Sequence, residues 1–200
     1  MSFPILGLTG PSGAGKGVVA QHLRDAHGFA WIDTDAVYHD LTSTPSACLD
    51  ELRAAFGDGV IKDGALHRPA LAAIVFSPDA KDKLELLNRI THKHVLAVTE
   101  QRIEQARHDG ATGAIIDAPL LFESGADATC SHTLAVLADK ETRLARIMAR
   151  DNLSAEAAQK RLDAQKTDDY YCKRADFIIK NNGDIQSVQT YADSLVKELL

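Results

Sequence analysis

The sequence predicts an α/β domain: a five-stranded parallel sheet flanked by helices and carrying a helical insertion. Three observations lead there. Five short apolar runs, at residues 3–9, 29–33, 113–117, 132–137 and 177–180, are separated by stretches of helical length. The first 33 residues read strand, glycine turn, helix, strand, a βαβ unit that favours a parallel sheet. Roughly 50 helical residues precede the third run, more than one crossover needs, so they form an inserted segment.

Each element has a local reason. Residues 3–9 (FPILGLT) are apolar and stop at Gly-Pro-Ser-Gly, which suits a buried strand. In residues 16–27, Val18, Val19, Leu23 and Ala26 fall near a helical period, and Gly28 is a stop signal. Residues 29–33 (FAWID) read as the second strand. Residues 34–59 are mostly helical with a break near Pro45, and 58–66 (DGVIKDGAL) read as a loop or small hairpin. Helices follow over 68–76 and about 78–108. In the latter, Leu84, Leu87, Ile90, His94, Val98, Arg102 and Gln105 step by three or four, with the apolar members forming a stripe. The strand at 113–117 (GAIID) ends at Ala118-Pro119, and HTLAVL at 132–137 is the next. Helices cover 140–150 and 154–165, interrupted at 151–153, with Ser154 and Glu156 suited to the second start. Residues 177–180 close the sheet and 185–199 form a final amphipathic helix.

Composition narrows the function classes. The 200 residues are 45% hydrophobic and 25% charged, an ordinary globular balance that excludes a disordered or collagen-like chain. A chain of this length buries roughly 70% of its unfolded surface and needs no staple. The net charge of −6 lacks the basic excess of a general nucleic-acid binder, while a local basic patch for a small phosphorylated ligand is compatible with it. Cys48, Cys130 and Cys172 are odd in number and far apart, so neither a disulfide framework nor a protein-held metal site is expected. The amino-terminal residues make a poor signal peptide, and no run of about 18 apolar residues exists, so a soluble cytoplasmic protein without membrane partner is expected.

The strongest motif is Gly10-Pro11-Ser12-Gly13-Ala14-Gly15-Lys16-Gly17, which matches G-x-x-x-x-G-K between a strand and a helix. Glycines let the backbone bend so that amides point at phosphate oxygens, and the helix start adds positive potential. Gly13, Ala14, Gly15, Lys16, Gly17 and Val18 are therefore the candidate nucleotide-binding residues, with the Lys16 ammonium for the β- and γ-phosphates. The alternative is a glycine-rich turn without ligand. The fold class becomes P-loop NTPase-like, with ATP and Mg²⁺ as the implied ligands. Ser or Thr normally ends this motif and binds Mg²⁺; here Gly17 stands there, and a water ligand would fill the gap.

Asp33-Thr34-Asp35 closes the second strand, where open α/β sheets bind ligands. Asp35 is the candidate for orienting an alcohol in phosphoryl transfer, and Asp33 for support or a water-mediated metal contact. Either acid could instead cap the next helix.

With these residues in place the chain resembles dephospho-CoA kinases, which phosphorylate the ribose 3′-hydroxyl of dephospho-coenzyme A with ATP in the last step of coenzyme A synthesis. The resemblance spans nearly the whole chain. It rests on Gly7-Leu8-Thr9-Gly10, Ile32-Asp33-Thr34-Asp35, Ile90-Thr91-His92 and Asp117-Ala118-Pro119-Leu120-Leu121-Phe122-Glu123. It continues through Arg146-Ile147-Met148-Ala149-Arg150-Asp151, Gln165, Ala175-Asp176 and Asn181-Asn182-Gly183. It implies a core at about 1–57 and 109–200, a CoA-binding helical insertion at about 58–108 and a lid at about 143–165. It makes Asp35 the catalytic aspartate, with Lys16, Arg146 and Asp33 beside it. Arg146 and Arg150 would close on the ATP phosphates, where a well-placed arginine gives ~10³–10⁵ in rate. The alternative for Arg143, Arg146 and Arg150 is a solvated basic stripe. Asn181 and Gly183 fall near the adenine, or form only an Asn-Gly turn. Thr9, His92, Pro119, Leu120 and Phe122 join Asp35 as candidate substrate contacts. His92 could instead be a cap or packing residue, and two of Leu120, Leu121 and Phe122 could be plain core. Lys93 stands where the family commonly has Pro. The implied partners are small molecules only, without nucleic acid. The rival functions are another small-metabolite or nucleoside monophosphate kinase of this fold, and a nucleotide-binding module of weakened catalysis.

Overall fold

The computed structural model describes residues 3–200. In chain order its elements are β1 (Ile5–Thr9), α1 (Lys16–His27), β2 (Phe29–Asp33), α2 (Thr34–Ser43), α3 (Ala47–Phe56), β3 (Ile61–Lys62), β4 (Ala65–Leu66), α4 (Arg68–Val75) and α5 (Lys81–His108). Then come β5 (Gly113–Asp117), α6 (Leu121–Ser124), β6 (His132–Leu137), α7 (Lys140–Asp151), α8 (Ala155–Asp163), α9 (Asp168–Cys172), β7 (Phe177–Lys180) and α10 (Ile185–Leu199). The chain forms two compact units. One holds the chain up to Ile32 together with Ile103–Leu200; the other is Asp33–Arg102.

The first unit is built on the five-stranded parallel sheet, in the order β2-β5-β1-β6-β7. β1 and β5 are central, and their near-continuous apolar sequences follow from cover on both faces. On one face α1 and α10 pack through Val19, Leu23, Val188, Ala192, Leu195 and Val196 against Leu6, Leu8, Ile115, Leu134 and Val136. On the other, Ala135 and Leu137 meet Tyr171 of α9, with Phe122 and Tyr170 packed alongside. The register pairs Leu8 with Asp117, Thr9 with Ala135 and Leu137 with Lys180. The carboxyl ends of β1, β5, β6 and β7 therefore share one edge, and the segments leaving them at residues 10, 118, 138 and 181 emerge together.

The second unit has its own core. Cys48, Leu49, Leu52, Val60, Leu66, Leu71, Val75 and Ile90 are buried together, with Tyr38, Leu41 and Phe56 packed against them. The apolar faces of α2 and α3 thus share a core with the hairpin, α4 and α5, and the unit begins at Asp33. Residues 58–66 resolve into a 3₁₀ turn (Asp58–Val60) followed by the β3–β4 hairpin. α5 starts at Lys81 instead of near 78, because the Ala80 amide donates to Ser77 O (3.1 Å) in a turn holding Asp79 at φ 65°. Two helices escape the periodic reading, α6 and α9, being four and five residues long and too short to show a stripe. Among the described residues no helix is long and apolar enough to cross a membrane.

Candidate active site

The glycine-rich segment between β1 and α1 is bent as the motif requires. Gly13 and Gly15 lie in the left-handed region, at φ 80° and 95°. At Gly15 the side-chain space is also taken, since a Cβ would lie 2.2 Å from Asn181 Nδ2. The Ala14 amide donates to Pro11 O (3.2 Å) and the Val18 amide to Gly15 O (3.1 Å). α1 begins at Lys16 without a side-chain cap, so its positive end faces the loop. The Lys16 ammonium donates to Gly10 O at 3.2 Å, across the bend. Gly17 is exposed in the first turn, outside the left-handed region, and a Cβ there would meet only Trp31 Cη2, at 3.9 Å.

Three arginines of α7 reach this loop. Arg143 is buried, 7% exposed; its Nε donates to Ser12 O (3.1 Å) and its Nη2 to Gln165 Oε1 (3.0 Å). Burial lowers its pKa, opposed by Asp168, whose Oδ1 lies 3.8 Å from Nη1. Arg146 Nη1 donates to the carbonyls of Gly13 (3.2 Å), Ala14 (3.3 Å) and Asn181 (3.0 Å), and Nη2 to Asn181 Oδ1 (3.2 Å). Arg150 Nη2 donates to Ser12 Oγ (3.2 Å), and its Nε lies 2.8 Å from Asp151 Oδ1. Arg143 and Arg146 therefore face the glycine-rich loop instead of forming a solvated stripe, whereas Arg150 stays exposed and touches the loop only through Ser12 Oγ. Gln165 completes the clamp by accepting the Ser12 amide at 2.7 Å. The sequence reading gave neither Arg143 nor Gln165 a role of its own.

The ends of β5 and β7 add to the same edge. Asn181, 2% exposed, takes its amide to Leu137 O (2.7 Å) and donates Nδ2 to Ala14 O (2.9 Å). Asn182 Oδ1 accepts the Asp139 amide (2.9 Å) ahead of α7, and Gly183 follows at φ 130° with open space around it. The Asn181 side chain thus shapes the loop, a part that a bare Asn-Gly turn would not play. The Thr9 side chain is fully buried, and its hydroxyl donates to Pro119 O (3.4 Å). Beyond Pro119, Leu121 is core, Leu120 is 52% exposed, and Phe122 is half-buried against Tyr170, ring centroids 6.3 Å apart.

The remaining candidates lie in the second unit. Asp33 is the N-cap of α2: its Oδ1 accepts the amides of Asp35 (2.9 Å) and Ala36 (3.1 Å). Asp35 is exposed in the first turn. His92 is half-buried in the middle of α5, which excludes the cap alternative. α5 runs unbroken through Lys93, and Glu51 of α3 accepts from Lys93 Nζ (2.6 Å) and lies 2.7 Å from His94 Nε2. The first unit therefore brings together the phosphate loop, Lys16, Arg146, Arg150 and Asn181, with Thr9, Pro119 and Gly183 at the same sheet edge. Asp33 and Asp35 form a capped turn of their own. A bent amide loop, one ammonium and clamped guanidiniums suit a polyphosphate.

Comparison with known proteins agrees with this chemistry. The dephospho-CoA kinase family model matches residues 4–187. A dephospho-CoA kinase of Corynebacterium efficiens is 36% identical over 196 residues, covering 98% of this chain and 96% of that protein. One of Moorella thermoacetica is 39% identical over 197 residues, covering 98% and 92%. Among solved structures, a Thermus thermophilus protein matches at TM-score 0.81 and 31% identity over 100% of both chains. A dephospho-CoA kinase from Campylobacter jejuni matches at TM-score 0.66 and 28% identity, over 97% and 96%. A shikimate kinase from Acinetobacter baumannii, at 14% identity and TM-score 0.55, shares the fold.

Proposed function

The chain belongs to the dephospho-CoA kinase family, ATP-dependent kinases acting on an alcohol hydroxyl, and from that premise we propose how its own residues carry the reaction. The acceptor is the ribose 3′-hydroxyl of dephospho-coenzyme A and the products are coenzyme A and ADP. The amides of Gly13 to Val18 and the Lys16 ammonium hold the β- and γ-phosphates. Arg146 and Arg150 set positive charge beside the group in transfer, where fixed donors cost no reorganisation. Asp35 orients the acceptor hydroxyl and takes its proton as oxygen attacks the γ-phosphorus and the bond to ADP breaks. Asp33 holds the Asp35 amide and so positions it.

Asn181 keeps the loop bent, and the chain at Gly183 passes the adenine. Thr9 steadies the turn at Pro119, from which Leu120 and Phe122 present an apolar wall to the acceptor, with His92 as a further contact. Mg²⁺ fits the site as a companion of ATP: Gly17 offers it no hydroxyl, so phosphate oxygens and waters would hold it, with Asp33 reached through water. When bound it neutralises the β- and γ-oxygens. The chain works on small molecules in the cytoplasm, where ATP is at hand.

The observation that carries this reading is the left-handed bend at Gly15 with Lys16 and the α7 arginines gathered on it. The test is coenzyme A formation from ATP, Mg²⁺ and dephospho-coenzyme A, set against a panel of nucleoside monophosphates and other small alcohols. Stoichiometric coenzyme A and ADP are expected. Turnover of another acceptor, or tight ATP binding without turnover of any, would refute it. Asp35→Asn lowers kcat by about 10²–10⁴-fold while ATP affinity is retained.

A further inference from the structure

α1 and α10 carry a second cluster that phosphoryl transfer does not use. His22 and His27 of α1 both turn their Nε2 atoms onto one carboxylate oxygen of Asp193, at 2.6 and 2.7 Å. The rings stand edge to face with centroids 5.6 Å apart, so two ring apices converge on the same point. All three candidate ligand atoms lie within 4.8 Å of one another. The imidazoles are sheltered, 15% and 24% exposed, while the carboxylate is 45% exposed. We propose that His22, His27 and Asp193 form a binding site for a divalent transition metal of the Zn²⁺ class, with solvent in the fourth position.

The donor set decides the metal. Two imidazole nitrogens and one carboxylate oxygen suit Zn²⁺, Co²⁺ or Ni²⁺, whereas Mg²⁺ prefers oxygen ligands alone. Zn–N and Zn–O bonds of about 2.0–2.1 Å place tetrahedral neighbours roughly 3.3 Å apart, so each N···O pair opens by about 0.6 Å on loading. The site also has a defined place. His22 and His27 lie six and eleven residues beyond Lys16, about 9 and 16 Å along α1 from its phosphate-binding end. It links the first helix to the last, across 171 residues of sequence between His22 and Asp193. Loading therefore clamps α1 to α10 and raises thermal stability without entering the phosphoryl-transfer step.

The test uses the full chain without a polyhistidine tag, stripped with a chelator and titrated calorimetrically with ZnCl₂ alone. Co²⁺ loading is followed by visible absorption and Tm by scanning calorimetry. One equivalent of Zn²⁺, a tetrahedral Co²⁺ band without thiolate charge transfer, and a Tm that rises with metal are expected. His22→Ala and His27→Gln should each weaken binding about tenfold or more. Asp193→Asn is the discriminating variant: its amide oxygen still accepts hydrogen bonds from the imidazoles but supplies no anionic ligand, so it should keep the metal-free Tm and lose the metal response. Kinase activity of these variants with ATP and Mg²⁺ should match the parent. Absence of stoichiometric binding, or binding that all three variants retain, would overturn the proposal.

Discussion

Gly17 sits where a nucleotide-binding loop of this type usually carries a hydroxyl, and its surroundings have room for one. A Cβ there meets nothing closer than Trp31 Cη2 at 3.9 Å, an ordinary contact, and the backbone is helical. Gly17→Ser is therefore expected to fold without strain. Serine is a better helix former than glycine, by about 0.5 kcal/mol inside a helix and less in a first turn. The larger effect falls on Mg²⁺. A polar contact to a charged partner is worth about 1.5–3 kcal/mol, or roughly 10- to 150-fold. A water ligand in the parent would supply part of this, which puts the expected gain near tenfold. The assay is coenzyme A formation at fixed ATP over a range of free Mg²⁺. Trp31, the single tryptophan of the chain, gives a parallel fluorescence titration beside the substituted residue. Gly17→Ser should lower the Mg²⁺ concentration at half-maximal rate about tenfold, with kcat equal or higher. Gly17→Ala, which shares the helix effect and lacks the hydroxyl, should leave it unchanged. Identical Mg²⁺ curves for the two variants would refute the reasoning.

Gly15→Ala places a methyl group against Asn181 at a left-handed φ, so thermal unfolding should show a loss of about 1–3 kcal/mol and a nucleotide titration should show weakened ATP binding. Asn181→Leu keeps the volume but leaves the Arg146 guanidinium without its side-chain acceptor. The expected cost is about 1–3 kcal/mol, read as lost stability and a raised KM for ATP. Burial pushes the Cys48 thiol up to about 11 and the Cys130 thiol up to about 12, while Cys172 is exposed. A raised thiol pKa means less thiolate at every pH below it. At pH 8, then, one thiol should react quickly with a disulfide reagent and two more than ~100-fold slower, until denaturant releases them.

Local chemistry explains how much was legible. The bounds of β2, β5, β6, β7, α1 and α10 coincide with the sequence reading, because buried parallel strands are continuous apolar runs and both helices carry their own signals. The phosphate loop was legible for the same reason: its glycines are needed by the bend they themselves make. α6 and α9 were not, since a helix of one turn has no period to detect. The second unit was seen as helical, but its beginning at Asp33 depends on α2 and α3 sharing a core with α4 and α5.

The sequence by itself determined the strands and the glycine-rich loop between β1 and α1, because each depends on neighbours a few residues away, while the order β2-β5-β1-β6-β7 pairs segments far apart in the chain and came with the tertiary structure. Only the tertiary structure decided where the long side chains end. Arg143, Arg146 and Arg150 have the spacing of a solvent stripe and of a clamp alike; the packing of α7 put the first two on the loop and left Arg150 exposed, reaching Ser12 Oγ. Gln165 meets Ser12 across 153 residues, Asn181 meets Ala14 across 167, and Asp193 meets His22 across 171. Parallel crossovers bring such distant segments to one edge or one face, and a periodicity that reports only local exposure carries no record of it.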